Sequence, residues 1–201
     1  MAANQIQGAS GLVTARAGAL NQTLMAALLA EYGEQAVRGW LYSTYSTAVA
    51  LSLPATATVG AMVWNPPGSG VRIHLLEFSS MNYATDADCT GVVLAVGYQT
   101  TTPTSTTAAT FYGRTLISQA TAVVGQAKCY SIATVLTAPL AVELLQHNTA
   151  AIATTGEDLV RGSFKGAWVL EEGGFATTAA HGAAATAWAG HILFAEVPKV
   201  L

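Results

Sequence analysis

Charge is what this 201-residue chain has least of. Asp, Glu, Lys and Arg together make up only 9% of it, where an average soluble protein carries about 25%. Eight basic and eleven acidic residues leave a net charge of −3, and the basic ones nowhere cluster. Affinity for phosphate rests on clustered Lys and Arg, so free DNA or RNA is not an expected partner. Cysteine is scarce too: Cys89 and Cys129 stand far apart with no CxxC. They are expected as reduced, buried thiols, with a single disulfide as the alternative. Long apolar runs are missing, although mean hydropathy is +0.42. A spanning helix needs about 20 mostly apolar residues, and the best helical run, LMAALLA, is enclosed by Thr23 and Glu31. No membrane contact is expected. The opening MAANQIQGASGLV has no early Lys or Arg and only a weak apolar stretch, so a protein made in the cytoplasm and used without Sec export is the expectation.

What fills the space is small residues. Hydrophobic residues are 52% of the chain while aromatics are 8%, and much of the difference is alanine. Three long stretches, 39–71, 89–113 and 173–195, contain no Asp, Glu, Lys or Arg. In a protein without a membrane span, the expectation is that other protein molecules cover much of this neutral surface.

Periodicity divides the chain in two. Residues 1–20 show no period and read as an extended arm without a core of its own. In the following segment Leu24, Leu28 and Tyr32 recur every four residues. Asn21 is placed to cap a helix and Gly39 to end it after Arg38, with Gly33 weakening its middle. Residues 1–39 are therefore expected as an arm plus a short helix. From Trp40 the pattern turns to β. In VRIHLLEFSS, Val71, Ile73 and Leu75 point one way while Arg72, His74 and Leu76 point the other. Asn65-Pro66-Pro67-Gly68 before it is strong turn chemistry, because Pro fixes φ and Gly accepts positive φ. GVVLAVGYQT reads as a strand buried on both faces, LAVELLQHN alternates poorly, and GSFKGAWVLEEGG runs as a strand into a turn. Several short strands separated by turn signals predict a sandwich or barrel over 40–201, and eight strands in Greek-key order would make a jelly roll. The fold class expected is mainly β: a jelly-roll-like antiparallel β-sandwich preceded by an arm and short helix.

No motif carries chemistry. There is no GxSxG elbow, no HExxH, no HxH, no GxxxxGK[ST] and no GxGxxG. His74, His147, His181 and His191 have no recognisable nucleophile or orienting carboxylate beside them in sequence. Asp86 and Asp88 are spaced to face one side, yet calcium wants further oxygen ligands, and a solvated loop is the simpler reading. Glu171-Glu172 reads as a charged turn, since paired carboxylates in glycosidases must flank a scissile bond. Trp40, Trp64, Trp168 and Trp188 are expected as core or interface anchors, with a sugar-stacking platform as the alternative. No catalytic residue, metal site or cofactor is expected.

Three segments together resemble a known type of protein: the arm with LLAEYGEQAVRGWLY, then VWNPPGSGVRIHLLEFS, then the closing WAGHILFAEVP. The elements are Tyr32, Arg38-Gly39, Trp64 through Gly70, and Glu196-Val197-Pro198. The combination is similar to small virion structural proteins of tailed bacteriophages, of the capsid decoration or cement type. That resemblance implies a jelly-roll-like domain, often trimeric, that bridges capsid subunits on the virion surface, with the major capsid protein as partner. Similar folds also serve in head fibres, tails and baseplates, so binding of a host-surface glycan is the alternative function. The residues expected at interfaces are Leu12, Leu24, Leu28, Tyr32, Arg38, Trp64 and Trp188.

Overall fold

The computed structural model describes residues 5–8, 11–14, 32, 35–36, 38–51, 54, 56–82, 89–113, 125–147, 159–182 and 185–199. Strands β1 (Gln5–Gly8) and β2 (Gly11–Thr14) pair antiparallel as a separate two-stranded sheet. The segment read as an extended arm thus holds a short hairpin. Most of the expected helix, with Leu24 and Leu28, lies outside the described residues. Its expected end is seen. Ala36 N–H bonds the Tyr32 carbonyl, Gly39 N–H bonds Ala36 and Trp40 N–H bonds Gln35, with Gly39 at φ 75°. This pair of reverse bonds around a left-handed glycine is a Schellman stop, which satisfies carbonyls that a helix end leaves open.

The remaining strands are β3 (Leu41–Leu51), β4 (Thr58–Val59), β5 (Met62–Trp64), β6 (Val71–Asn82), β7 (Cys89–Tyr98), β8 (Thr104–Ala108), β9 (Thr110–Gly113), β10 (Lys128–Thr134), β11 (Leu140–His147), β12 (Leu159–Leu170), β13 (Gly174–Gly182) and β14 (Ala185–Pro198). They form two antiparallel sheets. One runs β11-β7-β13-β5-β10-β4, with β8 also on β10; the other runs β12-β6-β14-β3-β9. The protein is mainly β, as the alternation predicts, and its sheets are arranged as a sandwich.

The pairing has an inverted order. β3 pairs β14, β5 pairs β13, β6 pairs β12, β7 pairs β11 and β8 pairs β10, all antiparallel. The chain from Leu41 to Pro198 is thus nested on itself like one long hairpin wound into two layers. Between the layers lies the main core, with Val63, Ile73, Leu75, Phe78, Val92, Leu94, Trp188 and Phe194 among its residues. Val71, Ile73 and Leu75 are buried as expected, while Arg72 is exposed and Leu76 packs elsewhere.

The seven-stranded sheet is covered on its other face too. There Met62, Trp64 and Phe175 gather with Val59, Ala133 and Val135, and Val93 with Ala95 and Ala179. The Phe175 ring presses on Gly97, its cross-strand partner, and leaves no room there for a Cβ. The outer face of the five-stranded sheet is covered at one end, where Tyr32 and Ala36 pack on Leu41, Leu76, Leu193 and Ala195.

This burial corrects the expectation drawn from the uncharged stretches. Gly173 to Ala180 are all buried, as are Ile192 to Glu196, Val59 to Asn65 and Gly91 to Ala95. Much of the neutral sequence is central strand, covered by the chain itself.

Candidate functional site

Three places concentrate polar or titratable groups. The first joins two turns that the sequence presents a hundred residues apart. Glu172 accepts Gly68 N–H at 3.1 Å and Gly70 N–H at 3.2 Å. Lys199 Nζ lies 3.2 Å from both Glu171 and Glu172, and Arg72 Nε is 2.6 Å from Glu171. Asn65, fully buried, donates from Nδ2 to the Val71 and Leu170 carbonyls and accepts from Ser69 Oγ at 2.6 Å. The bonds to Arg72, Lys199 and the two glycine amides lower the pKa of Glu171 and Glu172; Arg72 dominates for the first and the Gly68 amide for the second. Both carboxylates are engaged with their own turn and neighbours, as a charged turn requires.

The second place is internal. Glu196 is buried and accepts Gln126 N–H at 2.9 Å and Ala127 N–H at 2.8 Å. Gly125 is pressed against the same carboxylate. Cys129 sits nearby with its thiol pushed up to about 12, mainly by burial; a Thr44 side-chain bond opposes the rise and the Glu196 charge adds to it. Tyr42 is raised for the same two reasons, burial first, and its ring stacks on Phe194 at 5.8 Å between centroids. A thiol so raised is protonated at neutral pH and is no nucleophile.

The third place is a cavity of about 240 Å³ on the outer face of the five-stranded sheet. It owes its existence to a large bulge. Ser163 pairs Glu77 and Trp168 pairs Leu75, so Phe164, Lys165, Gly166 and Ala167 stand against Leu76 alone. Phe164 turns into the core. Lys165 and Gly166 take φ of 50° and 80°, which lifts the strand off the sheet. It is lined by Leu76, Ala195 and Val197, by Gln35 and Trp40, and by His74 with Lys165 and Gly166 of the bulge. The His74 ring is held by a bond to the Gly166 backbone, and its pKa is lowered chiefly by burial. Arg38 lies over the Trp40 ring at 5.0 Å, a cation–π contact. This place offers unfilled space.

The residues expected at interfaces fall into different settings. Leu24 and Leu28 lie outside the described residues, and Leu12 is placed on β2 by its backbone. Tyr32 packs on the outer sheet face and Arg38 is exposed over Trp40. Trp64 and Trp188 are 3% and 0% exposed. Both rings are enclosed by the chain's own core, which corrects their reading as contacts for a partner. Trp64 donates Nε1–H to the Gln99 carbonyl at 3.3 Å. Asp86 and Asp88 lie outside the described residues, and among those described no three His, Cys, Asp or Glu side chains group as metal ligands. Sequence reasoning missed several exposed apolar side chains. Leu136, Leu140 and Leu144 are 73%, 71% and 56% exposed, and Tyr98 is 64% exposed. Their four-residue spacing was the available signal, hidden because LAVELLQHN does not alternate. The register shifts at Val142 and Leu145 explain why, and both of those side chains turn toward the core.

Comparison with protein-family models, with curated proteins and with solved structures returns no match.

Proposed function

We propose that this chain is a non-enzymatic structural protein of a bacteriophage virion, which decorates or cements the capsid by bridging capsid subunits and acts as a trimer. On this reading the nested β pairing is a jelly-roll variant with one added outer pair, β3 with β14. The observation that carries the proposal is the exposure of Leu136, Leu140 and Leu144 on and beside the outermost strand of its sheet. Burying one leucine is worth about 1.5–3 kcal/mol. Leucines this exposed at a sheet edge, on a chain otherwise able to cover its neutral strands, mark an interaction surface. The occupant assigned to it is a second copy, because β11 ends its sheet and no described strand pairs its outer side.

Native mass spectrometry at micromolar concentration should give a trimer, and Leu140→Asp should dissociate it without loss of β-sheet signal. A monomeric wild-type chain refutes the assembly. A trimer that fails to co-sediment with capsid shells refutes the cement role and leaves the trimer standing.

A second reading is a fibre, tail or baseplate component that binds a host-surface glycan. It is favoured by one row across the open half of the outer sheet face, where register aligns Arg161, Ser79, His191 and Tyr45. Tyr45 is half exposed there. Saturable binding on a glycan array, lost in Tyr45→Ala, supports this reading; an array without hits removes it.

A further inference from the structure

Three buried polar atoms share one region between the two sheets, and none has a hydrogen-bond partner among the described residues: Trp188 Nε1, Ser46 Oγ and Thr178 Oγ1. Their residues are 0%, 4% and 2% exposed. We propose that these groups bind an internal water, which links β14 and β3 of one sheet to β13 of the other. The proposal concerns the isolated chain and stands apart from the capsid reading.

Register puts the three groups together. On β14, Trp188 and Gly190 are two apart and face the same way, toward the core that holds Trp188, Ile192 and Phe194. Gly190 pairs Ser46 on β3 and Ser80 on β6, so one inward row crosses the five-stranded sheet there. The facing sheet has a matching row. Thr178 pairs Leu94, a core residue, and its N–H bonds the Ala61 carbonyl. The two rows meet at Gly190, where a Cβ would stand 3.0 Å from the Ala61 Cβ. Ser46 and Trp188 thus flank the point that Ala61 and Thr178 cover from the other layer.

Neighbouring polar groups are all engaged. Ser80 Oγ donates to the Ala189 carbonyl at 3.0 Å, and Thr177 Oγ1 to the Ala61 carbonyl at 2.9 Å. The other core indole, on Trp64, donates to the Gln99 carbonyl. Native proteins leave few buried polar atoms without a partner, because each one forfeits its bonds to water and gains nothing in return.

The chemistry of the three groups selects the ligand. An indole N–H only donates, whereas each hydroxyl both donates and accepts. The indole bonds neither hydroxyl directly, so a bridging group has to accept from the indole and exchange bonds with the hydroxyls. Water does both, and it is held inside proteins by two to four such partners. A larger ligand does not fit, because the layers already touch at Ala61 and Gly190.

The test uses the full chain. Nuclear Overhauser spectra should show water in contact with the Trp188 indole proton. Oxygen-17 relaxation dispersion of the solvent counts long-lived internal waters and ignores proton exchange with hydroxyls. The double variant Ser46→Ala, Thr178→Val should lower that count by at least about one, because a single remaining partner does not retain a buried water. Each single variant should reduce the folded-to-unfolded ratio at least about fivefold, since it takes a bond from the water. The double variant should lose less than the product of the two factors, because both hydroxyls serve one ligand. An orphaned hydroxyl would behave in the opposite way, and exchanging it for a methyl in Thr178→Val would raise the urea midpoint. Should the double variant not fold, the wild-type contact and the Thr178→Val midpoint decide. No water contact at the Trp188 indole, an unchanged oxygen-17 count in the double variant, or a higher midpoint for Thr178→Val overturns the proposal.

Discussion

Replacing Glu196 by Gln should destabilise the fold by about 1–3 kcal/mol, although the two side chains are nearly isosteric. The carboxylate accepts backbone N–H groups of Gln126 and Ala127 at 2.9 and 2.8 Å, from a residue only 5% exposed. A hydrogen bond to a charged group contributes about 1.5–3 kcal/mol net, and a buried donor left without a partner costs about 1–3. Glutamine keeps one oxygen, so one bond survives at neutral strength while its NH₂ confronts the second N–H. Loss of the charge acts in the opposite direction, because it removes the cost of keeping an ion out of water. The balance gives the lower range, whereas Glu196→Ala, with neither oxygen, should lose about 3–5 kcal/mol. Gly125→Ala offers a second route to the same contact, since its Cβ would meet Glu196 Oε1 at 2.4 Å and push the carboxylate off both amides. The double variant should therefore lose less than the sum of the two singles. Urea unfolding followed by tryptophan emission reads this directly, because Trp188 is fully buried. With m of about 1–3 kcal/mol/M, a loss of 2 kcal/mol moves the midpoint by about 1 M. An unchanged or higher midpoint for Glu196→Gln at constant m, or strict additivity with Gly125→Ala, would refute the claim that this carboxylate anchors the 125–127 segment.

Two further outcomes follow from the same geometry. In a Cys89→Ser background, Cys129 should react with a thiol reagent at pH 8 only as fast as the protein opens, since burial pushes its thiol up to about 12; labelling at the rate of a free cysteine contradicts this. Glu171 and Glu172 have folded pKa values below their ordinary ones, so what they add to stability is present above the ordinary carboxylate value and is lost as pH falls through the lowered one. The Gly68 and Gly70 amide resonances should therefore move together on acidification below about pH 4 and not before. Glu172→Gln should abolish that titration, and amides that ignore it would show that the bonds do not form in solution.

The legible parts of this fold were those in which local chemistry acts alone. Alternation in Val71, Ile73 and Leu75 fixed a strand and its faces, because a period of two needs no distant information. The Asn65-Pro66-Pro67-Gly68 turn and the stop at Gly39 were readable for the same reason. Position in the sheet was not. The Glu171-Glu172 turn and the proline turn each signalled themselves, but nothing in either stretch says that Glu172 caps Gly68 and Gly70. The inverted nesting is also invisible locally, since Leu41 meets Ala195 across nearly the whole domain. The candidate cavity was hidden inside a strand pattern. SFKGAW reads as extended chain, and only the pairing of Ser163 and Trp168 with near neighbours on β6 exposes the four residues between them.

The scarcity of charge can now be divided between two causes. Gly174 to Ala180 form part of a strand buried on both faces, with Phe175, Thr177 and Ala179 toward one side and Ala176 and Ala180 toward the other. No position there tolerates an ion, because an unpaired buried charge costs several kcal/mol. Such stretches are neutral because the chain covers itself, and they say nothing about partners. The same account fails for β8. Its five residues, Thr104 to Ala108, are all exposed, and it pairs with β10. An exposed edge strand usually carries lysine or another charge to discourage further pairing. Here Thr, Ser and Ala stand in those places, as leucine does at 136, 140 and 144. Among the described residues, the proposed covering by other molecules therefore has its strongest claim on β8 and these leucines. That is a far smaller contact than the whole uncharged sequence suggests, and if the proposed assembly forms, substitutions confined to β8 and the exposed leucines should suffice to abolish it.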